Sequence, residues 1–132
     1  MRQIIALFLM FSATAAISAE TPMSPSEFEA YSTGRTLTYA ESGVIYGIEE
    51  YLPGRRVRWA FSQDECRDGY WYPDGQDVCF VYEDNPEPQC WSFAKSESGL
   101  IARFLGGDNG RELYEARQSE KPMQCLGPDV GV

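Results

Sequence analysis

Histidine is absent from the 132 residues of this chain. That one absence excludes the Ser-His-Asp triad, the Cys-His pair, imidazole acid–base chemistry and histidine-rich zinc sites. Basic residues are also scarce, 11 against 20 acidic ones, for a net charge of −9. This balance excludes nucleic acid, whose binding needs Lys and Arg to neutralise phosphates, and docking on an anionic membrane surface. A basic protein is the kind of partner it would favour, although acidity by itself mostly confers solubility. Cysteine is limited to Cys66, Cys79, Cys90 and Cys125. No two of them stand in C-x-x-C spacing, which excludes zinc-ribbon and thioredoxin-like chemistry. What remains is 43% hydrophobic and 14% aromatic, with the rings spread along the chain. That is the composition of one folded domain and not of a disordered segment.

Long apolar runs are missing too. The longest, Ile4 to Phe11, is far below the roughly 20 residues that span a bilayer. It follows Arg2 and precedes small residues ending at Ile17, Ser18 and Ala19. Residues 1–19 therefore read as an export signal cleaved before Glu20, with residues 20–132 a single exported domain and no membrane insertion afterwards. Four cysteines in a small exported chain read as two disulfides in a periplasmic or secreted protein.

The stretch Met23, Ser24, Pro25, Ser26, Glu27, Phe28 carries a cap, a Pro at the first helical position, a capping-box Glu and a hydrophobic staple. One short helix over about residues 25–33 follows, stopped near Gly34. Beyond it the pattern alternates. Strands are expected near residues 36–40, 44–52, 55–61, 70–72, 78–83, 89–95, 100–105 and 111–117, separated by turn residues such as Ser42-Gly43, Pro53-Gly54 and Asp74-Gly75. No gap is long enough for a crossover helix, so the strands form an antiparallel meander, with residues 118–132 a tail.

Treating Ser42-Gly43 and Pro53-Gly54 as two-residue turns sets the register by counting. Tyr39 then faces Tyr46, Leu37 faces Ile48, Ile48 faces Trp59, Tyr46 faces Phe61 and Glu50 faces Val57. This predicts an inward face with Leu37, Tyr39, Tyr46, Ile48, Glu50, Val57, Trp59 and Phe61. Its outward face has Thr36, Thr38, Arg56, Arg58 and Glu49, with Glu49 across from Arg58. Trp71, Val78, Phe80, Tyr82, Trp91, Phe93 and Phe104 extend the inward face along later strands. Eight such strands predict an up-and-down barrel with the helix over one end, a β-sandwich being the alternative. With a four-residue loop over residues 83–86, Cys79 lies opposite Cys90 on adjacent strands, within bridging range. Cys66 is left to tether the tail through Cys125; the alternative joins Cys66 to Cys79 and Cys90 to Cys125.

The N-terminal cap helix, short meander and paired cysteines resemble the calycin-type, lipocalin-like barrels. The block Cys66, Gly69-Tyr70-Trp71, Cys79-Phe80, Cys90-Trp91 is similar to a pattern in small exported bacterial proteins. The chain departs from true lipocalins in having no N-terminal G-x-W signature and in being shorter. The resemblance implies a barrel whose interior or mouth takes a small ligand.

Carboxylates are the remaining acid–base groups, and Asp64-Glu65, Asp74/Asp77 and Glu83-Asp84 all sit at turns, where backbone reasons explain them. No loop matches an EF-hand and no phosphate-binding loop is present, so neither a metal nor a cofactor is expected. The expected function is a non-enzymatic binding module for a small apolar or aromatic ligand. Its candidate site residues are Tyr39, Tyr46, Glu50, Trp59 and Trp91. The alternative is a protein-binding module or hydrolase inhibitor, presenting the acidic loop over residues 83–88 to a basic partner.

Overall fold

The computed structural model describes residues 13–14, 20–62 and 65–125; the export signal expected at 1–19 lies almost wholly outside the described residues, as do Asp64 and the end of the tail. A short strand β1 (Thr21–Met23) leads into helix α1 (Pro25–Ser32). Eight strands follow: β2 (Thr36–Glu41), β3 (Val44–Leu52), β4 (Arg56–Ala60), β5 (Arg67–Asp74), β6 (Asp77–Tyr82), β7 (Asn85–Ser96), β8 (Gly99–Phe104) and β9 (Glu112–Ser119). Each pairs antiparallel with the next, and β9 pairs back onto β2, which closes an eight-stranded up-and-down barrel. Closure leaves no exposed edge within the ring. No sequence pattern marks β1, which adds to β7 outside the barrel with Met23 opposite Phe93.

Helix α1 starts as the sequence predicts. Ser24 Oγ accepts from the Glu27 backbone N–H at 3.2 Å, and Glu27 accepts from the Ser24 N–H at 2.8 Å, a complete capping box with Pro25 inside it. The helix covers one end of the barrel and drives Phe28 into it. That ring is fully buried, 4.2 Å from Phe93 and 5.4–5.5 Å from Trp71 and Tyr51, centroid to centroid. Burying one such side chain is worth roughly 2–3 kcal/mol.

The interior of the later strands is as expected: Trp71, Val78, Phe80 and Phe93 are buried, with Tyr82 and Trp91 packed against them. Strand β3 differs. At its start Ala40 faces Ile45, the register that a Ser42-Gly43 turn demands, but a bulge at Tyr46 then inserts one residue. From there Tyr39 faces Gly47 and Leu37 faces Glu49. The next turn makes the same correction independently. Pro53–Arg55 is a three-residue turn, with Gly54 at φ 73° and Arg55 at φ 60°, so that Glu49 faces Trp59 and Glu50 faces Arg58. A one-residue shift turns every side chain to the other face of a sheet. Ile48 and Glu50 therefore leave the interior, and Glu49 and Tyr51 enter it.

Both disulfides join the expected pairs. Cys79–Cys90 bridges facing residues of β6 and β7, and Cys66–Cys125 spans 59 residues. The turn at Glu83 and Asp84 is shorter than the predicted four-residue loop. An irregularity between Phe80 and Tyr82 restores the Cys79–Cys90 pairing. After β9 the tail runs back along the outside of β2, β3 and β4. Lys121 O accepts from Thr36 Oγ1 at 2.8 Å, and the Met123 N–H donates to Glu50 at 3.1 Å. Disulfides of this kind indicate a non-reducing setting. Among the described residues no helix is long and apolar enough to cross a membrane.

Candidate functional site

Away from α1 the barrel is incompletely filled. A cavity of about 70 Å³ lies among Tyr39, Glu49, Tyr51 and Phe80 and opens past Tyr46, Phe61, Arg67, Gln89 and Trp91. Gly47 helps to shape it. A Cβ at that position would lie 2.2 Å from the Trp59 ring, so the missing side chain lets the indole lie across β3. Trp59 then packs on Tyr46 and Phe61, at 5.8 and 5.3 Å, while Trp91 packs on Phe104 at 5.0 Å.

Among the described residues Glu49 is the one carboxyl that lines this cavity, and it is only 1% exposed. Its Oε1 accepts from the Tyr82 hydroxyl, reaching across from β6, at 2.8 Å. Its Oε2 is buried and meets no donor among the described residues. Burial pushes the Glu49 carboxyl well above the usual carboxylate range, with the Tyr82 hydrogen bond pulling in the other direction. Tyr39 and Tyr51 share a hydroxyl–hydroxyl hydrogen bond of 2.8 Å beside it. Burial raises both phenols, and it raises Tyr82 as well with the Glu49 charge adding to the effect, so all of them stay protonated.

Cations stand at the mouth. Arg67 pairs with Asp84 at 2.9 Å and lies over the Phe61 ring at 5.3 Å. Arg111 pairs with Glu41 at 2.8 Å, donates to the Tyr46 hydroxyl at 2.7 Å and lies over that ring at 4.9 Å.

Of the residues expected to form a site, Tyr39, Tyr46, Trp59 and Trp91 are brought together around the cavity. Glu50 is not. It sits on the outer wall, opposite Arg58 and beneath the tail, because the bulge and the longer turn rotate β3 by one residue. Phe61, expected inside, is 46% exposed at the rim. Sequence reasoning placed Tyr82 inward without joining it to the site, and missed Glu49, Tyr51, Arg67 and Gln89. Gly47 was the available signal, since a glycine inside a strand often marks a bulge or a close approach of another group. Among the described residues no three His, Cys, Asp or Glu side chains are placed to hold a metal ion. No protein-family model, curated protein or solved structure matches the chain.

Proposed function

We propose that this is an exported, non-enzymatic binding module, periplasmic or secreted and of lipocalin-like type, that takes a small ligand through the open end of its barrel. One observation carries the reading: the cavity holds a buried carboxyl with an unpartnered oxygen, in a barrel whose other end is packed solid around Phe28. Buried polar groups are nearly always hydrogen-bonded, and one on a side chain that lines a cavity is suited to a ligand. A lone carboxyl supports binding over hydrolysis, because glycosidase chemistry needs a second carboxyl facing the first.

A fragment screen by NMR on the oxidised protein tests this. Binders should move the indole signals of Trp59 and Trp91 and leave the Phe28 amide in place. A screen in which neither indole responds would end the reading. The exposed apolar side chains on the open-end hairpins, Val44, Ile45 and Leu105 with Phe61, favour a second reading. In it the rim and the acidic turn at Glu83 and Asp84 dock a basic protein such as a hydrolase. A partner whose capture is lost in Phe61→Asp but unaffected by Glu49→Gln would support that alternative.

A further inference from the structure

Resting on the binding reading above, we propose that the cavity takes a small organic ammonium ion, with the Glu49 carboxylate as its counter-charge and aromatic rings as its walls. The Oε2 atom of Glu49 is the acceptor left over once Tyr82 has engaged Oε1, and the Glu49 side chain lines the cavity. An ammonium group brings both the N–H donors and the positive charge that a buried carboxylate needs. The surrounding π faces attract cations more strongly in a desolvated site than in water. The mouth already shows this preference, with the Arg67 and Arg111 guanidinium groups lying over Phe61 and Tyr46.

The groups facing Glu49 leave the role to a ligand. They are the Tyr82 hydroxyl from β6 and, nearby, the linked hydroxyls of Tyr39 on β2 and Tyr51 on β3. Among the described residues Arg67 is the one cation lining the cavity, and it is held at the rim by Asp84. The space of about 70 Å³ suits an ammonium head and not a whole ring, since a cavity that takes benzene measures about 150 Å³. An apolar tail would then rest between the mouth rings. The net charge of −9 favours approach by a cation.

Binding is proton-coupled. Burial favours the neutral acid in the empty site; when R–NH3⁺ enters a site holding that acid, the carboxyl O–H bond breaks, its proton leaves to solvent, and the carboxylate keeps the electron pair and faces the ammonium. The test is calorimetric titration of the oxidised, full-length protein with three probes of similar size: 2-phenylethylammonium, 2-phenylethanol and 3-phenylpropanoate. At pH 7 the ammonium should bind about tenfold or more tightly than the alcohol, the worth of one charge-assisted hydrogen bond. Its affinity should rise with pH by up to about tenfold per unit while Glu49 is protonated in the free protein. Proton release should appear as a dependence of the heat on the buffer.

Glu49→Gln should abolish both the preference and the pH dependence, a result that loss of packing alone does not produce. If that variant fails to fold, the three-probe comparison on the unaltered protein decides by itself. An alcohol that binds as tightly as the ammonium, or a propanoate that binds best, overturns the ammonium assignment and leaves the binding cup standing. If no probe binds and neither indole responds, both readings fall.

Discussion

At the end under α1, Phe28 meets Tyr51, Trp71, Phe80 and Phe93, and its ring is wholly buried. At the opposite end Tyr46, Trp59 and Phe61 pack on one another and border a cavity, with Phe61 half in solvent. Both ends use aromatic side chains on inward strand positions, so composition does not separate them. The difference is the helix. A covalently attached plug supplies the last ring at one end, and at the other no segment of the described chain does. Stability should therefore reside at the packed end and ligand response at the open one.

Phe28→Ala breaks this contrast most severely, because it leaves the closed end as hollow as the open one. We expect a loss of about 3–5 kcal/mol in denaturant unfolding, as for other buried Phe truncations. A change below about 1 kcal/mol would mean that the plug is not what stabilises the barrel. Next in size is the bridge that ties the tail to the open end. Cys66→Ser with Cys125→Ser should cost roughly 2–4 kcal/mol, somewhat more than removing Cys79–Cys90, because the loop of 59 residues is longer than that of 11. Equal losses for the two pairs would show that loop length does not set their contributions.

Glu49 sharpens the comparison through pH. Its folded pKa is raised by burial above the unfolded value. The folded state thus holds a proton that the unfolded chain gives up. Stability is full below the unfolded carboxylate pKa, about 4.3, and falls by up to about 1.4 kcal/mol per pH unit as pH rises toward the folded pKa. Glu49→Gln should flatten that slope, leaving stability near pH 4 almost unchanged and raising it at higher pH. Parallel pH profiles for the two proteins would show that Glu49 is ionised in the empty site. The smallest effect belongs to the rim: Phe61→Ala should shift stability by less than about 1 kcal/mol, while changing Trp59 emission because the rings touch.

Much of this architecture was legible before any coordinates. The capping box placed α1, the turn residues counted out the barrel strands, and the spacing of Cys79 and Cys90 around one hairpin indicated their bridge. The short strand β1 was not legible, since Thr21–Met23 has no periodicity of its own and is extended only because it finds the free edge of β7. The candidate site was half legible. Tyr39, Tyr46, Trp59 and Trp91 were placed by alternation, whereas the carboxyl at their centre was assigned one residue away.

Alternation, turn chemistry and cysteine placement are local or nearly local properties, so the sequence by itself determined an antiparallel meander with a capping helix and paired cysteines, while the choice of closed barrel over sandwich was made by the long-range pairing of β9 with β2. Whether Glu49 or Glu50 enters the interior is not local. Two adjacent carboxylates on one strand offer the same composition and propensity, and the choice depends on one inserted residue. The tertiary structure makes that choice twice, with a bulge at Tyr46 and a third turn residue at Arg55, because only then do Leu37, Tyr51 and Trp59 all bury their apolar surface on one face. Glu49 is carried inside by its neighbours' burial and meets there the hydroxyl of Tyr82, from a strand on the far side of the barrel.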